Sequence, residues 1–231
     1  MQPQLMMGYA RSATIGALLL FFAEALSAQS IPSSYRFIET RHEIGLYGGY
    51  LLTDPGELEL APDPGPLLGA RYGLHLTGPL SGEAGLGFVA TDRQVRTRVG
   101  TGATLTDVEE TSSLLLIAEA GLRFHLTGQR AWRGLAPYAM ATGGLVTDLA
   151  GNGPLEGQIP EAERFTFGPT FAASLGLGSQ FFLTENMSLR VEARDYVWRL
   201  SYPESMSVGI LEEDSEWANN FGLTIGGSIH F

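Results

Sequence analysis

"GLTIGGSIHF", Gly222 to Phe231, alternates without a break: Leu223, Ile225, Ile229 and Phe231 share one parity, and Gly222, Thr224, Gly226, Ser228 and His230 the other. Successive side chains of a strand point to opposite faces, so a period of two reads as a strand. The last residues of a soluble domain usually fray, yet here the pattern runs through the final ring. Such a strand has to be held along its whole length, and its partners show the same period upstream.

Three earlier runs end alike: "GLHLTG" (Gly73 to Gly78), "RFHLTG" (Arg123 to Gly128) and "FFLTEN" (Phe181 to Asn186) each close on Leu-Thr and a turn residue. Reading back by twos gives an apolar face of Leu74, Tyr72, Ala70 and Leu68, then Phe124, Leu122, Ala120, Ala118, Leu116 and Leu114, then Phe181, Ser179, Leu177, Leu175, Ala173, Phe171 and Phe167, with Pro169 among them. The other parity is small or charged: His75, Arg71, His125, Arg123, Glu119, Gln180 and Ser174, with glycines between. The intervening runs follow the same rule. Ile44, Leu46 and Tyr50 oppose Glu43; Ala84, Leu86 and Phe88 oppose Glu83; Leu189, Val191 and Ala193 oppose Arg190, Glu192 and Arg194, with a bulge expected at Asp195. "APYAMATGGLV" is a further strand whose faces the pattern leaves open. With the C-terminal run this makes eight strands.

Short connections at Thr77 to Ser81, Thr127 to Leu135 and Thr184 to Met187 alternate with long ones at Thr53 to Gly65, Asp92 to Glu110, Thr147 to Arg164 and Ser201 to Glu216. That alternation describes an antiparallel up-and-down barrel over residues 41–231. A soluble barrel turns its apolar face inward, whereas a transmembrane barrel turns it to lipid and keeps a polar lumen. The charged parity is interleaved with Gly45, Gly49, Gly69, Gly73, Gly85, Gly87, Gly121, Gly176, Gly178, Gly222 and Gly226. A solvent face has no use for so many missing side chains, but a narrow eight-stranded lumen does. Aromatics at Tyr50, Phe124, Tyr138, Phe181, Trp198, Trp217 and Phe231 fall where interfacial girdles belong. The expected fold is therefore an all-β, eight-stranded transmembrane β-barrel.

The terminal strand ending on Phe231, with "LTENMSLRVEARDY" (Leu183 to Tyr196) before it, resembles the OmpA-like and OmpX-like eight-stranded barrels of bacterial outer membranes. The resemblance implies outer-membrane lipid as surroundings, loops outside the cell and termini in the periplasm. It also implies periplasmic chaperones and the barrel assembly machinery as partners in biogenesis, with Phe231 as assembly signal. The peptidoglycan-binding domain that follows the barrel in full OmpA has no counterpart, so cell-wall anchoring by that route is not expected. The protein is expected to be a monomer.

Residues 1–28 read as a signal peptide: Arg11 precedes "SATIGALLLFFAEALSA", and the apolar run from Ala13 to Phe22 is ten residues, against roughly 20 for a spanning helix. Cleavage is placed after Ala28, with Ala25 and Ser27 as alternatives, leaving 29–40 as a short periplasmic segment. All 14 basic residues are Arg, the formal charge is -11 and there is no Cys. Nucleic acid is excluded as a partner by that charge, and disulfides and thiolate chemistry by the missing cysteines.

Three constellations bear on function. Glu43, Arg71, Glu83, Glu119, Arg123, Arg190, Glu192 and Arg194 share the lumen parity, four of each sign, and buried charges of equal number can pair. The network is read as structural filling, or as a plug or gate. His75, His125 and His230 fall at one mouth and are a weak candidate metal set; no cofactor is expected. His42 sits at the apolar interface without a triad pattern around it, which argues against a lipid-active enzyme. The long loops carry most of the acidic residues, read as a solvated face, while the arginines of "DRQVRTRVG" reach lipid phosphate or belong to a strand extension. The functional expectation is a structural or surface-interaction barrel with a mostly closed lumen. The alternatives are a narrow porin-like channel, a lipid-modifying enzyme and a soluble periplasmic ligand barrel.

Overall fold

The computed structural model describes residues 35–98, 105–208, 211 and 213–231. The proposed signal peptide and the start of segment 29–40 lie outside the described residues. Among the described residues ten strands follow: β1 (Tyr35–Phe37), β2 (His42–Leu52), β3 (Gly65–Thr77), β4 (Leu80–Arg98), β5 (Leu105–His125), β6 (Arg130–Trp132), β7 (Leu135–Asp148), β8 (Thr170–Phe182), β9 (Met187–Ser201) and β10 (Ser215–His230), with one short α-helix, α1 (Glu204–Ser207), and two 3-10 turns at Glu156–Gln158 and Glu161–Glu163.

Eight of these strands close an antiparallel barrel in the order β7-β5-β4-β3-β2-β10-β9-β8, with β8 returning to β7. The terminal strand is held because it is the closing strand: β10 pairs with β2 from Phe221 opposite Leu52 to His230 opposite Glu43, and with β9 on its other edge. Closure leaves no unpaired edge, which is the condition for a sheet to sit in lipid. β1 and β6 pair with each other at the short-turn end.

The faces follow the sequence parity. Leu46, Leu68, Leu122, Leu175, Leu177, Leu223 and Ile225 point outward and are at least half exposed, so the exterior is an apolar band of the kind lipid covers. Glu43, Arg71, Glu83, Arg123, Arg190, Glu192 and Arg194 point inward and are buried. Seven of the eight lumen charges stand opposite at least one cross-strand glycine, for example Glu43 opposite Gly73, Arg71 opposite Gly45, Glu119 opposite Gly144 and Arg194 opposite both Gly176 and Gly222. Glycine gives the long charged side chains their volume inside the barrel.

Five expectations need correction. Asp195 makes no bulge: β9 keeps register past it on both sides, and its side chain stays on the outer face. The bulges lie instead between His75 and Thr77 and between Val95 and Arg96. Tyr138 and Trp198 are not girdle residues but inward-facing and each 1% exposed. Phe167 precedes β8 and is buried beneath the loops. The segment Asp92 to Glu110, given as a long connection, is mostly strand, because β4 and β5 continue to pair as far as Arg98 opposite Leu105; of the two readings of "DRQVRTRVG" the strand extension holds. The faces left open in β7 resolve with Ala136, Tyr138 and Met140 inward and Leu145 outward.

The interior has two layers. Towards the short turns it is polar; towards the long loops it is an apolar core of Leu51, Leu67, Val89, Leu115, Ile117, Val146, Trp198 and Leu200. That core continues into the loops through Leu58, Leu60, Phe165, Phe167, Tyr202 and Met206, which fold over the rim and cover it. Side chains buried inside a barrel and under its loops exclude water from the lumen in the same way as any close-packed core.

Candidate functional site

The polar layer is one connected network. Arg190 on β9 donates from Nη1 to Glu43 Oε1 at 3.0 Å and Glu83 Oε2 at 2.8 Å, and from Nη2 to Glu192 Oε1 at 2.5 Å. Arg123 joins the same carboxylates, at 2.7 Å to Glu43 Oε2 and 3.1 Å to Glu83 Oε2. One step further from the short turns, Arg194 donates to Glu119 Oε1 at 2.5 Å, Glu83 Oε1 at 3.1 Å and Glu192 Oε2 at 3.2 Å. Arg71 donates to Glu192 and lies 3.7 Å from Glu83. All eight predicted residues are thus brought together, and their pairs reach across the lumen from β2, β3, β4, β5 and β9.

Tyrosines complete it. Tyr138 donates to Glu192 Oε1 at 2.5 Å, and the guanidiniums of Arg190 and Arg123 lie 5.1 and 5.4 Å from its ring centroid. Arg71 lies 4.1 Å over the Tyr47 ring. Such contacts pair the cation with the ring's negative face. Each ring fits because its cross-strand partner is glycine: a side chain at Gly69 or Gly178 would run into Tyr47 or Tyr138. The sequence reading placed Tyr138 among the girdle aromatics and did not single out Tyr47. A usable signal existed for Tyr47, which shares the parity of Glu43 on its strand; none of the eight lumen charges lies on β7, so nothing comparable marked Tyr138.

The three histidines line one cleft at the short-turn mouth, as the sequence placed them, but each makes separate contacts. His75 hydrogen-bonds Gln129; His230 Nε2 contacts Ser188 Oγ at 2.7 Å and Gln180 Nε2 at 3.1 Å; His125 packs against Tyr138. Among the described residues no group of three or more His, Cys, Asp or Glu is placed to hold a metal ion. The Ser188–His230 contact is one that sequence reading did not find. No carboxylate bonds to the histidine, and the cleft beside it holds only about 30 Å³. His42 faces outward, with Nδ1 2.7 Å from Tyr72 Oη and its ring stacked on Phe231 at 5.4 Å.

At the long-loop end the acidic residues are not all a solvated face. Glu156 is buried and takes two 2.8 Å hydrogen bonds from Arg93 Nη2, while Arg93 Nε lies 3.6 Å from Asp148. Glu109 accepts from the backbone N–H of Leu155 and Glu156 at 2.9 and 3.2 Å. These contacts pin the connection between β7 and β8 to the β4–β5 extension. Arg96 joins Glu59 and Asp107, each at 2.6 Å. The arginines read as reaching lipid phosphate, Arg93 and Arg96, are therefore spent inside the loop cap; the Arg98 side chain lies outside the described residues. Burial pushes the Tyr202 phenol up, and so does its hydrogen bond to Glu216.

The sequence matches the family described as outer membrane protein beta-barrel domain over residues 13–228. No curated protein matches it. Among solved structures it is similar to the Neisserial surface protein A, with 11% identity over 86% of this chain and 98% of that one and a TM-score of 0.50. It is also similar to the outer membrane protein OprG from Pseudomonas aeruginosa, with 15% identity over 83% and 97% and a TM-score of 0.49. The outer membrane enzyme PagL aligns at 15% identity over 80% and 97%, with a TM-score of 0.38. At such identities the likeness is one of fold. A closed eight-stranded barrel with an apolar belt, matched over nearly its whole length by one family, belongs to the outer membrane protein β-barrel domain family of the bacterial outer membrane.

Proposed function

We propose that this protein is a non-conducting outer-membrane scaffold that presents its long-loop cap as an interaction surface. The observation that carries the reading is the pair of closures in series: the Arg–Glu network across the lumen and the apolar layer beneath the loops. An ion crossing the barrel would have to break several buried charge pairs and then enter an apolar core, and each step is costly. In this reading the short-turn end and both termini face the periplasm, the loops face outward, and the barrel works as a monomer in lipid. Phe231 is 57% exposed on the outer face, which suits a role as assembly signal for chaperones and the barrel assembly machinery. An enzymatic role has little support, since the cleft beside Ser188 and His230 is too small for an acyl chain. Planar-bilayer recording tests the reading. The refolded chain is expected to insert, verified by heat-modifiable gel mobility, and to pass no stepwise current; regular unitary currents would favour the channel.

A further inference from the structure

The outward face of β9 and β10 carries three polar side chains that descend from the long-loop rim into the apolar belt. Arg199 stands opposite Trp217, which is 61% exposed and marks the rim. Asn219 is two residues further down β10, opposite Val197, and Asp195 lies opposite Phe221. All three polar side chains are exposed on the lipid side. From Arg199 to Asp195 is about 13 Å along the strand, or roughly 10 Å along the barrel axis at a tilt of about 40°. The belt continues above that depth: on the next strand Leu175 faces Asp195, and Phe171, four residues nearer the rim, is 58% exposed. Among the described residues no hydrogen bond or ion pair reaches the Asp195 carboxylate or the Asn219 amide. Arg199 donates to Ser215 Oγ, from Nε at 2.9 Å and Nη2 at 2.5 Å, and no described carboxylate neutralises it. An ionisable side chain inside the hydrocarbon band is costly and marks a functional position. Acyl chains offer it nothing, and bulk water is absent from the band. The esters of a glycerophospholipid accept hydrogen bonds, as the carboxylate itself does. What Asp195 lacks is a donor held at its own depth, beneath a group that suits Arg199.

The geometry points to a binding stripe for a phosphorylated, N-acylated aminosugar lipid with hydroxyacyl chains, the class to which lipid A belongs. Its phosphate sits on Arg199, and its amide N–H and acyl-chain hydroxyl, which lie deeper than the phosphate, meet Asn219 and Asp195. A glycerophospholipid supplies the phosphate but not the deeper donors. The stripe rests on the proposed orientation only for the leaflet that supplies the lipid. Native mass spectrometry of the refolded full chain in detergent, with lipid A and phosphatidylglycerol as competing probes, tests it. Wild type is expected to hold lipid A several-fold more tightly than phosphatidylglycerol. Lipid A stripped of its ester-linked chains by mild alkali keeps the amide and the amide-linked hydroxyacyl groups, and should compete as well as the intact lipid. Asp195→Leu should bring lipid A down to the phosphatidylglycerol level with heat-modifiable mobility unchanged, because the substitution takes a charge out of the belt. Arg199→Gln should weaken both lipids. Equal affinities in wild type would mean that headgroups or water drawn down to Asp195 satisfy it, and would overturn the inference; so would a lipid A preference that survives Asp195→Leu. In detergent both rims are open to lipid, so surface labelling of cells that placed the long loops in the periplasm would contradict the orientation and leave the binding result standing.

Discussion

Arg190 is 1% exposed and bonds three glutamates from three different strands, so its loss would leave buried negative charge without compensation. Removing one partner of a buried ion pair costs about 3–5 kcal/mol. Arg190→Ala should therefore lower the unfolding free energy of the refolded barrel by that order, seen as a lower urea midpoint for the loss of heat-modifiable mobility; an unchanged midpoint would mean the network contributes nothing to stability. The Tyr47–Gly69 pair makes a second residue-scale prediction. Gly69→Val forces the Tyr47 ring off its cross-strand seat, an overpacking of about 1–3 kcal/mol. Tyr47→Ala should suppress part of that cost in a double-mutant cycle, whereas strict additivity would show the two side chains do not compete. The charges were legible in the sequence because parity alone puts them inside. Their partners were not, since pairing across the lumen depends on register and strand tilt. Tyr138 was misread because an aromatic near a strand end satisfies a girdle rule and a lumen rule equally well, and Tyr47 was not singled out.

At the scale of elements, the largest difference from the sequence reading is the β4–β5 hairpin. "DRQVRTRVG" is polar and rich in Arg, which reads as loop, but β4 and β5 pair from Ala90 opposite Leu114 up to Arg98 opposite Leu105. The barrel strands and their closing order were readable because lipid imposes strict alternation on them. Above the rim that constraint lapses, and the ribbon is stabilised instead by loop contacts that no local pattern announces. The apolar layer did leave a trace: in "LLLIA" (Leu114–Ala118) the inward residues Leu115 and Ile117 are apolar as well as the outward ones, so the alternation lapses. Asp63, at the end of the first long loop, tests the cap. Burial, with Glu110 and Asp92 nearby, holds its carboxyl above the ordinary value of 3.8. A raised folded value means that the proton is bound more tightly in the folded state. Stability at this corner is thus fully present below the ordinary carboxylate value and falls as pH rises through the raised one. The exchange protection factors, corrected for the intrinsic pH dependence of exchange, of the amides at Asp63 and Thr91, whose hydroxyl donates to the Asp63 carbonyl, should fall across that acidic window in wild type and stay constant in Asp63→Asn. Equal profiles would place the pH sensitivity elsewhere.

For the whole molecule, the account comes down to a barrel sealed twice, by charge and then by packing, with the polar-to-apolar transition near Ser174, Tyr47 and Tyr196. Ser174 is 3% exposed, faces inward from β8 and hydrogen-bonds Thr142 Oγ1 at 2.7 Å, between the two layers. The chain has no cysteine, so Ser174→Cys introduces a single thiol into the sealed zone at almost no change in volume. Thiol modification of that variant, folded and inserted in liposomes, by a membrane-impermeant, water-soluble reagent measures closure directly. The account predicts no labelling until the barrel is unfolded in urea, after which labelling is complete. Prompt labelling of the folded barrel, at the rate of an exposed cysteine, would show a continuous water path from bulk to the centre of the lumen and contradict it.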